Sequence, residues 1–118
     1  MRKGSIRGPS RESDSAELAQ AIRVLGEPNR LSILYNMGLE CLSVSTIIDA
    51  TGMTQTNVSF HLRILREAGL VRAERRGPFV YYCLADPDLL RILNELKSRL
   101  GTRSSKQPAK RVRYAGLR

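Results

Sequence analysis

Thr54-Gln55-Thr56-Asn57-Val58-Ser59-Phe60-His61-Leu62-Arg63-Ile64-Leu65-Arg66-Glu67-Ala68-Gly69-Leu70-Val71 is the stretch that decides how this chain is read. Thr54 is a good helix cap, because its hydroxyl accepts from an orphan amide of the first turn. Gly69 is a good stop, because glycine takes the left-handed conformation past the last turn without steric cost. Between them Val58, Leu62 and Leu65 fall at i, i+4 and i+7, one face of a helix. The other side carries Gln55, Thr56, Asn57, Ser59, His61 and Arg63. Their amide, hydroxyl, imidazole and guanidinium groups can hydrogen-bond base edges and phosphates. Such a helix suits a DNA major groove. A solvated surface helix has the same pattern, so the neighbouring segments must decide.

Upstream, Ser45 or Thr46 can cap a helix through Ile47, Ile48 and Ala50 that closes at Gly52. That helix, the break at Gly52-Met53-Thr54 and the quoted helix form a helix–turn–helix. Downstream the period changes. Residues 70–76 read as a strand, Gly77-Pro78 as a turn and Phe79-Val80-Tyr81-Tyr82-Cys83-Leu84 as the returning strand. A hairpin with Arg75 and Arg76 at its tip, directly after a reading helix, is the layout of a winged helix–turn–helix. The expected fold is mainly α with a small β wing: five helices plus a β-hairpin.

The remaining helices lie outside this unit. Ser13 or Ser15 can cap the first, with Leu18, Ala21, Ile22 and Leu25 on one face and Gly26 at its end. Pro28 opens the second, a largely apolar segment to Gly38 placed at the centre of the core. Leu42-Ser43-Val44 is a short extended piece. Asp86 or Asp88 caps the last helix, where Leu89, Leu93, Leu96 and Leu100 repeat along one face, widened by Leu90 and Ile92. Leu18 and Ile22 with this leucine row exceed what so small a core hides. An apolar stripe of that kind marks an interface, here a homodimer, unless both stripes close the monomer core. A two-fold dimer would present two reading helices to a palindromic site.

Length and charge set the wider frame. The 118 residues make one folded domain, expected at 14–100, flanked by basic arms at 1–13 and 101–118 that read as disordered. The net charge of +9 sits in the arms: the middle holds ten basic and ten acidic residues, the first arm four basic and one acidic, the last six basic and none acidic. Basic arms track phosphates and make affinity salt-sensitive, although charged tails also serve solubility alone. No signal peptide is visible and no apolar run approaches the ~18 residues of a membrane span, so a cytoplasmic location and no membrane partner are expected.

Enzyme chemistry finds no support. One histidine, no glycine-rich phosphate loop and no Cys-x-x-Cys are present. Ser59 and His61 stand two apart on a helix and point in different directions, a poor nucleophile–base pair. The reading that fits is a sequence-specific regulator of double-stranded DNA. Thr54, Gln55, Thr56, Asn57, Ser59 and His61 are its candidates for bases or nearby backbone, and Arg63, Arg75 and Arg76 for phosphates. Phe60 either touches a thymine methyl or packs under the wing. The alternatives are a winged-helix module for protein–protein contacts and a nonspecific architectural DNA binder.

Three separated motifs carry a resemblance. They are Leu25-Gly26-Glu27-Pro28-Asn29-Arg30-Leu31-Ser32-Ile33-Leu34, then residues 59–71, then Gly77-Pro78-Phe79-Val80-Tyr81-Tyr82-Cys83-Leu84. In this order they resemble an ArsR-type (ArsR/SmtB) winged-helix repressor over roughly 16–100. The resemblance implies a homodimer that binds operator DNA until an inducer, often a metal ion, releases it. It implies a recognition helix at 54–68, a wing at 72–82 and dimer contacts from 14–25 and 86–100. The family's sensing residues are missing. Where its arsenic and cadmium sensors carry two cysteines, this chain has Ser43 and Ser45, and hydroxyls are poor ligands for soft metals. Where its zinc and nickel sensors use carboxylates and histidines, the last helix has Asp86, Asp88 and Glu95 but no histidine. No cofactor and no standard metal site are therefore expected.

Cys41 and Cys83 remain. In a winged helix the short strand before the third helix pairs with the returning wing strand, which brings 41–44 beside 81–84. Opposed residues of such a ladder have Cβ atoms ~4.5–5.5 Å apart, near disulfide reach. Val80, Tyr82 and Leu84 alternate inward, so Cys83 is expected on the other side and partly accessible. Either the two thiols form a switch, by oxidation or by sharing a soft metal, or they are unrelated thiols of a reducing compartment.

Overall fold

The computed structural model describes residues 7–100. Its order is α1 (Arg7–Leu25), α2 (Pro28–Met37), β1 (Leu42–Ser43), α3 (Val44–Thr51), α4 (Gln55–Glu67), β2 (Val71–Arg76), β3 (Phe79–Leu84) and α5 (Leu89–Leu100). The five helices and the wing match the sequence reading. Residues 1–6 of the basic arm expected at 1–13, and the whole of the arm expected at 101–118, fall outside the described residues.

Two helix starts differ from expectation. α1 begins at Arg7, so residues 7–13 are helical rather than part of an arm, and Ser13 and Ser15 lie within the helix instead of capping it. Gly8-Pro9 looks like a breaker, but a proline in the first turn lacks an N–H that has no intrahelical partner anyway. α3 is capped by Ser43, not by Ser45 or Thr46: Ser43 is extended and its Oγ accepts from Thr46 N at 3.3 Å. Strand β1 is only two residues long, so the cap falls on its last residue.

The helix–turn–helix packs around α2. Ile33, Leu34 and Met37 of α2, Ile47 of α3, and Val58, Leu62 and Leu65 of α4 are almost fully buried in one cluster. Each such side chain contributes about 1.5–3 kcal/mol of burial. The turn between α3 and α4 is fixed locally. Gly52 adopts φ 77, a left-handed cap, and Thr51 Oγ1 receives Met53 N at 3.2 Å. Thr54 Oγ1 then accepts from Asn57 N at 3.1 Å and starts α4.

The sheet has strand order β1-β3-β2, antiparallel throughout. Leu42 faces Tyr82 and Ser43 faces Tyr81, so the segment entering α3 is hydrogen-bonded to the wing. Leu84 and Tyr82 turn toward the core, and Val71 of β2 joins them. α5 meets the core through Leu89 and Leu90, and Tyr35 of α2 donates to Asn94 Oδ1 at 3.0 Å. No helix among the described residues is long and apolar enough to cross a membrane.

Candidate nucleic-acid interface

The outer face of α4 assembles the expected reading residues. Gln55, Thr56, Asn57, Ser59 and Arg63 are all exposed. Among the described residues no hydrogen bond engages their side chains, which leaves their donors and acceptors open. Thr54 is exposed too, but its hydroxyl is committed to the cap. Phe60 is exposed beside them, with its ring edge-on to His61 at 5.1 Å.

His61 does not belong to that face. It is 7% exposed, and its Nδ1 lies 3.2 Å from Arg30 Nη1. Its place follows from geometry: it sits three residues after Val58 and four before Leu65, beside the apolar stripe rather than opposite it. Arg30 also donates from Nε to Val24 O at 2.7 Å, so one guanidinium ties the end of α1 to the reading helix. Glu27 caps α2 by accepting from Arg30 N at 3.0 Å. Burial lowers the pKa of His61; the Glu27 carboxylate opposes this and the Arg30 guanidinium adds to it. The neutral ring therefore accepts from Arg30 at Nδ1.

The wing supplies cations beside α4. Arg75 is exposed, with Nη1 donating to Gly77 O at 3.4 Å. Arg76 is exposed but engaged: it bonds Glu74 at 3.1 Å and lies over the Tyr81 ring at 4.5 Å. Glu74 thus offsets one of the two expected phosphate contacts. Arg66 is a basic residue that the sequence reading passed over. With Ser59, Arg63 and Tyr82 it lines a recess of about 240 Å³ between α4 and the wing. Its spacing of three from Arg63 was the available signal.

A second face is apolar. Leu18 and Ile22 of α1 and Ile92, Leu96 and Leu100 of α5 are exposed, each at 50% or more. Leu93 is half-buried, and Leu89, expected at the same interface, packs against the protomer's own core.

Ser43 and Ser45, which stand where the resemblance would put a cysteine pair, form a hydroxyl cluster with Thr46. Ser43 Oγ, which caps α3, lies 3.3 Å from Ser45 Oγ and 3.0 Å from Thr46 Oγ1. The two cysteines meet elsewhere. Cys41 stands opposite Cys83 in the extended β1–β3 register, their Cα atoms 4.3 Å apart, and the sulfurs are joined as a disulfide. Cys83 was expected to be partly accessible; it is 3% exposed. It does face away from the core, but Cys41 lies against it from just before β1 and the Glu74 side chain from β2.

Comparison with known proteins places this architecture. Residues 27–73 match the family described as bacterial regulatory protein, arsR family. The HTH-type transcriptional regulator NmtR of Mycobacterium tuberculosis is 38% identical over 90 residues, 74% of this chain and 75% of the relative. The HTH-type transcriptional regulator CmtR of Mycobacterium bovis is 39% identical over 85 residues, 72% of each chain. Among solved structures, a homodimeric winged helix-turn-helix DNA-binding domain from Mycobacterium bovis superposes with a TM-score of 0.70 at 30% identity. It covers 84% of this chain and 89% of that one.

Proposed function

The chain belongs to the ArsR family of bacterial regulatory proteins, and from that premise we propose that it is a homodimeric repressor whose α4 reads a palindromic operator. The observation that carries this is the outer face of α4. Five exposed polar side chains share that face, with no side-chain hydrogen bond among the described residues, beside a wing that carries exposed arginines. Gln55 and Asn57 suit adenine edges, Thr56 and Ser59 suit bases or phosphate, and Arg63, Arg66 and Arg75 suit phosphates. Arg76 reaches a phosphate only by giving up Glu74. His61 acts through position: with Arg30 it sets the seat of α4.

The exposed apolar faces of α1 and α5 are the proposed dimer interface, in keeping with the homodimeric solved relative. A two-fold pair sets the two α4 helices about one helical turn of DNA apart, roughly 34–36 Å. A regulator of this kind works where the chromosome is, which places it in the cytoplasm.

The test is fluorescence anisotropy with DNA from upstream of the protein's own gene against random DNA of equal length, at fixed salt and in reducing buffer. Tighter binding to the upstream DNA, in the range of roughly 10³–10⁷-fold for specific sites, supports the reading. Equal affinity for both would leave an architectural binder. Binding to neither would leave a protein–protein module.

A further inference from the structure

We propose that Cys41, Cys83 and Glu74 form a binding site for a thiophilic divalent cation of the zinc–cadmium kind, which the reduced protein holds between the three strands of the wing sheet. Among the described residues this is the group of three potential ligands whose donor atoms lie within 4.8 Å of one another. Each donor comes from a different segment. Cys41 precedes β1, Cys83 lies on β3 and Glu74 on β2, so a single ion would clamp the wing to the segment that starts α3.

The carboxylate is already in place. Glu74 Oε1 lies 3.7 Å from Cys41 Sγ and 3.4 Å from Cys83 Sγ. In a tetrahedral site with Zn–S ~2.3 Å and Zn–O ~2.0 Å, the sulfur–oxygen edge is ~3.5 Å. With the disulfide still closed, the carboxylate oxygen thus already stands near that edge length from both sulfurs. The remaining edge is the sulfur–sulfur edge, ~3.8 Å in such a site, which the thiols reach once the bond between them is gone. A water can complete the tetrahedron on the side where Cys41 and Glu74 are only half-buried.

Charge and softness favour this class of ion. Two thiolates and one carboxylate around a divalent ion leave one negative charge. Arg76 at 3.1 Å and Arg72 at 3.6 Å from Glu74 offset it and hold the carboxylate in position. Two sulfur donors select zinc or cadmium over magnesium or calcium, which take oxygen. The hydroxyls of Ser43 and Ser45 offer no competing soft site, because hydroxyl oxygen is a poor ligand for soft metals.

The disulfide and the ion exclude each other, because both use the same two sulfurs. Reduction transfers two electrons and two protons from a dithiol reductant to the disulfide, and the reductant closes to its own disulfide. The cation then replaces the two thiol protons, which leave to solvent. The cytoplasmic placement above implies that the dithiol is the usual state, since disulfides are rare there. The site itself needs no DNA, so it stands or fails apart from the repressor reading.

The full chain is reduced with a dithiol, desalted without oxygen and titrated with Cd²⁺, following the thiolate-to-cadmium absorbance in the near ultraviolet. One ion per protomer is expected, displaced by Zn²⁺ and blocked by prior oxidation with diamide. Cys41→Ser and Cys83→Ser should each abolish the sulfur band. Glu74→Gln, an exchange at a half-exposed position, should weaken binding by no less than the roughly 10–100-fold typical of losing an outer partner. In the unsubstituted protein, bound Cd²⁺ should protect both thiols from alkylation. No absorbance change in the reduced protein overturns the site. So does a band that survives Cys41→Ser. Full affinity in Glu74→Gln overturns the third ligand and with it the site as proposed.

Discussion

Helices α4 and α5 are nearly the same length, 13 and 12 residues, and both carry an apolar row at helical spacing. They do opposite things with it. α4 buries Val58, Leu62 and Leu65 in its own protomer, while α5 has no buried residue at all. Along α5 exposure rises as the helix leaves the core: Leu89 and Leu90 touch it, Leu96 is 53% exposed and Leu100 74%. Their polar faces differ as well. On α5 two of the cations are paired locally, Arg99 with Glu95 at 2.8 Å and Arg91 with Asp88, just before the helix, at 3.5 Å. α4 leaves short polar side chains open. A periodic row thus says that a face is to be covered, and not by what. In the proposed repressor, one helix faces its own core and offers its polar side to DNA, whereas the other offers its apolar side to a second copy.

The largest effect expected from this contrast is on stability. Leu65→Ala, in the row buried by its own protomer, should cost about 2–5 kcal/mol in denaturant unfolding. Leu96→Ala at the same spacing on α5 should leave the unfolding of the dilute monomer within about 0.5 kcal/mol. Equal losses would mean that α5 belongs to the monomer core. The next effect is on assembly. Ile22→Asp combined with Leu96→Asp should convert a dimer to a folded monomer in sedimentation velocity, with the helical circular dichroism kept. A dimer that survives both charges would move the interface elsewhere.

A smaller effect separates the two polar faces. Asn57→Ala should cost about 1–3 kcal/mol on the operator and little on random DNA, as a base contact does. Lys97→Ala on α5 should change neither, because it lies on a different helix from the proposed reading face. Anisotropy at fixed salt measures both, and equal losses for the two would remove α4 from the reading role.

Much of this arrangement is legible in the sequence, because its signals are local. Thr54 as cap, Gly52 and Gly69 as stops and Gly77-Pro78 as turn each act within a few residues, and the β1–β3 pairing follows from the winged layout. What escapes is non-local. Glu74 stands 33 residues from Cys41 and 9 from Cys83, and only the β2–β3 register sets it between their sulfurs. Arg30 acts across 31 residues on His61. The start of α1 was hidden because Gly8-Pro9 breaks helices everywhere except in a first turn. Burial of Cys83 came from its neighbours on both strands, which alternation alone does not weigh.

His61 marks the border between the two faces of α4, and its effect is the smallest and the most diagnostic. Polarity assigns it to the reading face, yet its angle around the helix assigns it to the core, and the angle prevails because Arg30 supplies the partner that burial demands. Its pKa lies below the ordinary 6.5, chiefly through burial. The folded state therefore binds fewer protons at this site than the unfolded state between the two values, so stability rises with pH there. The contribution is full above about pH 6.5 and is lost progressively as pH falls through 6.5 toward the lowered value. His61→Gln keeps an acceptor for Arg30 but does not titrate. The difference in unfolding free energy, wild type minus variant, should fall on acidification from about pH 7.5 to 5. The exposed carboxylates affect both proteins alike and cancel. A difference that stays flat would mean that the imidazole is solvated and free to turn outward, and would return His61 to the reading face.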